Sequence, residues 1–544
     1  MFDAIIVGLG PTGATMANLL GRRGWRVAVL ERTADVYDKP RAITADHEAL
    51  RVFQEIGLAE DIAETTVPHP GTDFLGVDGE LIKKFYPADP PALLGWEPSF
   101  MFVQPVLERT LRHGLDRFPG VEVHLSHEVA GLVQEGDVVR VRVRDVGTGT
   151  TRVLSCHYLL GCDGASSSVR QVVGGTLDDL QFDEEWLVVD ALADDTSVLP
   201  SRCIQYCRPS RPGTFIVGPG RLRRWEIKVL PGEGASDFAT EEAQRAVLRE
   251  FTDHADSLEL VRHAVYRFHA VVAHQWRYDR VFLLGDAAHQ MPPFMGQGMC
   301  AGIRDAVNLA WKLHDVHRRG ASPKLLDTYE VERKAHVRDI VENAKSFGLI
   351  IGELDHELAL ERDRRLRGEL LAGTAETVRQ NFIPELRDGA IAIDRRTGEP
   401  LGAAGELFPQ PFVVTEDGTS ILMDQLLGDD FVVVTCGHGT WLEGVTVPRH
   451  PLVSNRRIDL RTSRPEPRED RREVADTTGV LVQWFTQRRA SVAIVRPDKA
   501  VYGTASDPAG AAVLLQPLVE DLRPWGTTPE PAAADAGGAA ADSP

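Results

Sequence analysis

Three glycines at fixed spacing, Gly8-Leu9-Gly10-Pro11-Thr12-Gly13, stand directly after the apolar run Ala4-Ile5-Ile6-Val7. The pattern is suited to holding the pyrophosphate of a dinucleotide. Gly8 permits the tight turn, Gly10 lets the phosphates approach the backbone, and Gly13 lets a helix pack on the strand. A helix opening at Pro11, with Thr12 in its first turn, offers its unpaired N–H groups to that anion. A second apolar run, Val27-Ala28-Val29-Leu30, ends on Glu31, the expected carboxylate for a ribose hydroxyl, with Arg32 beside it. An adenine dinucleotide is the expected ligand.

Gly285-Asp286, at the end of the apolar run Val281-Phe282-Leu283-Leu284, decides which one. The chain returns to the same cofactor there, and a nicotinamide enzyme has no need of that return. A flavin does, because its ribityl hydroxyls can donate to an Asp carboxylate. The next segment, Met291-Pro292-Pro293-Phe294-Met295-Gly296-Gln297-Gly298-Met299, is apolar, bent by prolines and opened by glycines. Pro293, Gly296, Gly298 and Met299 are expected to lie against a flat ring system, with Met291 and Phe294 facing a substrate. The helix over Ala301 to His314 turns its N-terminus toward the flavin.

Asp163-Gly164-Ala165-Ser166-Ser167-Ser168-Val169-Arg170 completes the pattern. With it, the chain resembles the single-component FAD-dependent aromatic hydroxylases, the group A flavoprotein monooxygenases. The three fingerprints, at Gly8, Asp163 and Gly285, come in that family's order. Pro40-Arg41-Ala42-Ile43, Asp46 to Arg51, Phe102-Val103-Gln104-Pro105, Arg224-Trp225-Glu226 and Leu325 to Arg333 narrow the resemblance to the 3-(3-hydroxyphenyl)propionate hydroxylase branch of the phenol hydroxylase group. The resemblance implies non-covalent FAD, NADH or NADPH as co-substrate, O2 and a phenolic substrate. It makes Arg41 the flavin-loop arginine, Gln104 a flavin-contacting glutamine, and Asp163 a contact to both FAD and the reduced nicotinamide.

Composition fits this expectation. The chain has 544 residues, a formal charge of −20 and six cysteines. No apolar stretch is long enough to span a bilayer and no leader precedes the first strand, so a cytoplasmic enzyme without membrane partners is expected. The negative charge argues against nucleic acid. The scattered cysteines read as reduced thiols, and no metal site is expected because Cys203 and Cys207 lack a second ligand pair.

The elements that must position these residues are read as an α/β protein. A Rossmann-like FAD-binding domain of the aromatic hydroxylase type is expected in two parts, 1–175 and 275–345, around an inserted substrate-binding sheet domain at 176–274. Trp186 to Ala191 and Trp225 to Leu230 supply alternating strands of that sheet. A helical connection at 346–404, with Glu353 to Arg367 amphipathic, leads to a thioredoxin-like domain at 405–525 and a disordered tail at 526–544. Cys436-Gly437-His438-Gly439 lacks the second cysteine of a redox motif, so this unit is expected to serve packing or dimer contact, and a homodimer is one assembly it permits.

Hydroxylation ortho to a phenol is helped by a group that takes the phenolic proton. His47 and Tyr206 are the candidates for that role, and His289 is read as a structural partner of the cofactor loop. Arg224 is the candidate anchor for a substrate carboxylate. The substrate expected is 3-(3-hydroxyphenyl)propionate, with another phenol, resorcinol or a natural-product ring as the alternative. From other classes, an FAD-dependent reductase or dehydrogenase and a non-catalytic FAD-binding protein compete with this reading.

Overall fold

The computed structural model describes the chain except residues 39–40, 91, 438–444, 446–449, 455–456, 462–464, 466–470 and 523–544, and the side chain of Asp521. The tail and part of the Cys436 motif, His438 and Gly439, therefore lie outside the described residues, as does Pro40.

The first strand, Phe2–Val7, sits in the middle of an eight-stranded sheet. It pairs in parallel with Val27–Glu31 on one side and Thr151–Gly161 on the other. Val281–Leu283 continues the parallel row beyond Thr151–Gly161. Phe2–Val7, Val27–Glu31, Val281–Leu283 and the last four residues of Thr151–Gly161 are buried and mostly apolar, the pattern of strands covered on both faces. The register aligns Val7 with Gly161 and Gly161 with Leu283. Three motifs far apart in sequence thus emerge side by side, at the carboxyl ends of three adjacent parallel strands, where open α/β sheets bind their ligands.

Helix Pro11–Arg22 and the longer helix Gly298–Arg319 pack together over this edge. Close approach explains two glycines there. A Cβ on Gly302 would lie 2.2 Å from Thr12 Oγ1, and one on Gly285, whose φ is +58°, would lie 2.7 Å from the same atom.

A second eight-stranded sheet runs in the order His289–Gln290, Glu259–Ala273, Leu177–Leu192, Leu222–Lys228, Gly213–Val217, Cys203–Tyr206, Thr72–Leu75 and Leu81–Phe85. It is not confined to 176–274. Two strands come from the stretch read as the first part of the dinucleotide unit, because Cys203–Tyr206 pairs in parallel with Thr72–Leu75. No local periodicity announces that pairing. Alternation gives the sheet two faces. Leu187, Val189, Phe215, Trp225 and Ile227 build an outer core with Phe238 and Leu248. Trp186, Asp190, Thr214, Arg224 and Glu226 occupy the opposite, inner face, Trp186 in the same core as Phe294 of the 291–299 loop.

Helix Asp327–Gly352 runs straight through the expected boundary at 345. The next helix spans His356–Leu371 rather than 353–367, because the Asp355 side chain accepts from the N–H groups of Glu357 and Leu358 and sets its start. Beyond it lies a seven-stranded sheet that includes Val432–Cys436 and Val492–Val495 as antiparallel neighbours. This unit is riveted to the first by buried charge: Arg496 donates to Glu332 at 2.8 Å and to Asp498 at 2.6 Å, and Arg51 forks onto Asp424 at 2.6 and 2.7 Å. Among the described residues no helix is long and apolar enough to cross a membrane.

Candidate functional site

At the glycine-rich turn the three glycines have different reasons to exist. Gly8 has φ +96° and a Cβ there would lie 2.4 Å from the Cys162 carbonyl oxygen; at Gly13 it would lie 2.0 Å from the Gly8 carbonyl oxygen. Gly10 meets nothing within 4 Å. The protein itself does not require glycine at position 10, so the requirement is one a ligand would impose. Glu31, at the end of its strand, accepts from Leu9 N at 2.7 Å and from Thr33 N and Oγ1 at 2.9 Å, which ties the carboxylate to the turn. Arg32 beside it is exposed.

Asp163 works locally as a helix cap. It accepts from the hydroxyls of Ser167 and Ser168 and, at 3.1 Å, from Val169 N. Arg170 then donates to the Ala287 and Ala165 carbonyls, both at 2.7 Å, joining this motif to Gly285-Asp286. The Asp286 side chain is exposed although protein surrounds it closely, and that desolvation pushes its pKa above the usual carboxylate value. An accepting carboxylate in that position suits hydroxyl donors. Behind it His289 Nε2 lies 2.7 Å from Asp305, which also accepts from Gly285 N and Arg333. Burial would raise the Asp305 pKa, but His289 and Arg333 outweigh it and hold the carboxyl ionised. His289 is thus a structural partner of the Gly285 turn.

Along the 291–299 loop, Met291, Pro293, Gly296, Gly298 and Met299 are partly exposed while Pro292, Phe294, Met295 and Gln297 are buried. One side of the loop is offered and the other anchors it. Phe294 belongs to the anchor, packed edge-on against Trp186 at 5.0 Å and Phe182 at 6.2 Å. Gln297 donates to Asp46 at 3.0 Å, and Arg304 bridges Asp46 and Glu48, each at 2.5 Å. His47 lies between these carboxylates, buried, with Nδ1 lacking a hydrogen-bond partner among the described residues. Burial pulls its imidazole below the ordinary value despite Asp46 and Glu48.

The oxygen of Gln104 accepts from Ala42 N at 2.5 Å and Arg41 N at 3.1 Å, and its amide nitrogen donates to Glu108 at 2.6 Å. Gln104 therefore holds the backbone of the loop that carries Arg41. The Arg41 side chain is about half exposed and lies over the Tyr37 ring.

Two expected residues are placed elsewhere by strand geometry. Tyr206 points to the outer face, against Phe251 and Arg208, away from the loop. Its neighbour Gln205 takes the inner face and accepts from the Thr214 hydroxyl at 2.5 Å. Arg224 is on the inner face but only 2% exposed, with its fork on Asp190 at 2.6 and 3.1 Å and a third bond to the Arg41 carbonyl at 2.6 Å. Its charge is committed to a carboxylate of the same sheet, so its geometry serves the Arg41 loop instead of a substrate anion. Sequence reasoning missed Asp190, Glu226, Gln205, Thr214 and Arg379. The alternation Arg224, Glu226, Lys228 could have signalled Glu226, and a lone Asp190 within the apolar run Leu187 to Leu192 could have signalled the partner of Arg224. Burial, offset in part by Arg224, raises the Glu226 carboxyl to about 7.

A family profile described as an FAD binding domain matches residues 1–344. The chain belongs to that family. A second profile, the HcaD C-terminal domain, matches 405–520 of this FAD-binding protein. A 3-(3-hydroxy-phenyl)propionate/3-hydroxycinnamic acid hydroxylase of Mycobacterium sp. (strain KMS) is 34% identical, covering 92% of this chain and 88% of the relative. A probable NADH-specific resorcinol 4-hydroxylase of Rhodococcus jostii (strain RHA1) is 36% identical, covering 97% and 96%. The FAD-bound monooxygenase PieE superposes with TM-score 0.77 over 96% of this chain and 99% of its own, at 22% identity, and so shares the fold. The protein is a flavin-dependent aromatic hydroxylase, with the open Gly10 cradle and the Asp286 carboxylate fitting FAD.

Asp286→Ala is expected to weaken FAD binding by about 1.5–3 kcal/mol, the range for a hydrogen bond to a charged group. Titration of apoprotein with FAD checks this, and unchanged affinity returns Gly285-Asp286 to an ordinary turn.

Proposed function

We propose that the protein hydroxylates a phenol bearing a meta side arm at the position ortho to the hydroxyl, with 3-(3-hydroxyphenyl)propionate converted to 3-(2,3-dihydroxyphenyl)propionate. The observation that carries this reading is that the half-exposed, apolar 291–299 loop packs through Phe294 on Trp186 of the second sheet, whose inner face carries a buried polar row, Gln205, Thr214 and Glu226. We read that sheet as the substrate domain. A bound FAD would supply the hydride acceptor for the reduced nicotinamide and the means of activating O2 for transfer of one oxygen atom to the ring.

The residues of this chain do the rest. Gly8 to Gly13, Glu31, Asp163 and Asp286 hold the cofactor. Gln104 and Arg224 fix the Arg41 loop from two sides. Met291, Pro293 and Met299 keep water from the reacting centre, where it would divert oxygen to hydrogen peroxide. For the phenolic proton, Glu226 is matched to neutral pH, whereas burial makes His47 a weaker base. We read the third sheet as a thioredoxin-like domain without redox function, since burial pushes the Cys436 thiol up to about 11. It serves packing or contact with a second copy. Resorcinol is the second reading, favoured by the relative that aligns over nearly the whole chain.

A screen of phenols for stimulated NADH and NADPH oxidation tests this. A catechol from 3-(3-hydroxyphenyl)propionate is the expected product; turnover confined to resorcinol selects the second reading, and no hydroxylated product from any meta-substituted phenol refutes the substrate class.

A further inference from the structure

Arg379 sits in a short 3-10 turn, Arg379–Phe382, within the stretch that sequence patterning reads only as a connection. The residue is buried at 7% exposure, yet no Asp or Glu lies within ion-pair distance of its guanidinium among the described residues. Compare Arg51, Arg304 and Arg496, each as buried and each locked onto carboxylates at 2.8 Å or less. Among the described residues the Arg379 side chain makes one hydrogen bond, from Nη2 to the Met295 carbonyl at 2.9 Å, and it stacks over the Phe85 ring at 4.3 Å. Burial, offset only in part by more distant groups such as Asp46, lowers its pKa to about 10. A buried cation left this way is costly unless something anionic completes it.

The position is specific. Met295 and the adjoining Gly296 belong to the 291–299 loop, and a Cβ on Gly296 would come within 3.5 Å of Arg379 Nη2. Cys203, on the inner face of the second sheet, and the Asp46 carboxylate, itself ion-paired with Arg304, act on its charge from beyond contact. Arg379 thus stands where the loop meets that face. It lines a small cavity of about 10 Å³, room for one water-sized group, together with His47, Ser99 and Gln297. Asp46 and Glu48 line it too, but both are tied to Arg304. Ser99 donates to the Ala45 carbonyl, Gln297 to Asp46 and Gln380 to the Pro98 carbonyl, whereas His47, also in the lining, has an Nδ1 without a partner among the described residues.

We propose that Arg379 is the specificity residue for an anionic phenol: it receives a carboxylate oxygen of the substrate's side arm, with His47 Nδ1–H as a second donor. This rests on the reading of the protein as a hydroxylase of phenols with a side arm and supplies the cation which that reading needs and Arg224 does not provide. The 10 Å³ cavity takes an oxygen atom and not a ring, which suits a carboxylate held away from the ring by an arm.

The test compares FAD-loaded wild type, Arg379→Met and Arg379→Lys on 3-(3-hydroxyphenyl)propionate and its neutral counterpart 3-propylphenol. Dissociation constants are read from perturbation of the flavin spectrum, and kcat/KM from NADH consumption. In Arg379→Met the preference for the propionate over 3-propylphenol is expected to fall roughly 10- to 100-fold, the range for a lost charge-assisted hydrogen bond, with Arg379→Lys recovering part of it. An unchanged preference in Arg379→Met overturns the proposal. So does loss of FAD from both variants, which marks Arg379 as a fastener of the Met295 loop alone. Wild type that hydroxylates neither phenol refutes the function, whereas wild type that hydroxylates both with a preference insensitive to residue 379 refutes only the anchor.

Discussion

Gly10→Val yields a folded, nearly colourless protein. Gly10 has an ordinary backbone conformation, φ −73° and ψ −175°, and its Cβ would meet no protein atom within 4 Å, so valine strains neither the turn nor the packing. The new side chain instead projects into the space that the pyrophosphate of FAD requires. The purified variant is expected to hold less than about a tenth of the wild-type FAD, with far-UV circular dichroism unchanged. Gly13→Ala makes the useful contrast. Its Cβ would stand 2.0 Å from the Gly8 carbonyl oxygen, so it damages the turn itself. A folded Gly10→Val protein with full FAD content would remove the assignment of the glycine-rich turn.

Asp190→Ala is expected to destabilise the second sheet by about 3–5 kcal/mol, the cost of stripping one partner from a buried ion pair. Asp190 has no exposure, carries the Arg224 fork and lies 3.5 Å from Arg262. Its removal takes away the carboxylate these two guanidiniums share. Asp190→Asn keeps hydrogen-bond acceptance and should lose less. Urea unfolding followed by tryptophan fluorescence reports the change, because Trp186 and Trp225 lie in this sheet. Since Arg224 also grips the Arg41 carbonyl, FAD should dissociate faster from the same variant. An unchanged urea midpoint would show that the pair contributes nothing measurable.

That the chain binds FAD was legible because the signals for it are local. Glycines at fixed spacing, an acid ending an apolar run and a proline opening a helix each act over a few residues, and parallel pairing then brings Val7, Gly161 and Leu283 into one row. The substrate side was not, because it depends on which face of a strand a side chain takes. Gln205 and Tyr206 are adjacent in sequence and on opposite faces. Their parity is fixed by pairing with Gly213–Val217 and with Thr72–Leu75, the latter about 130 residues away in sequence. Arg224 reads as a free cation until Asp190, its cross-strand neighbour, is seen beside it. Arg379 carries no motif at all. What distinguishes it is burial and an unneutralised charge beside Met295, and both are properties of tertiary structure.

The central claim is that this protein places one atom of O2 on an aromatic ring. The direct measurement is turnover of 3-(3-hydroxyphenyl)propionate with NADH under 18O2, followed by mass spectrometry of the product. NADH oxidation stimulated by the phenol and a catechol carrying one 18O atom are expected. Phenol-stimulated NADH oxidation that returns the ring unchanged, with all oxygen recovered as hydrogen peroxide, would contradict it; so would a product oxygen drawn from water.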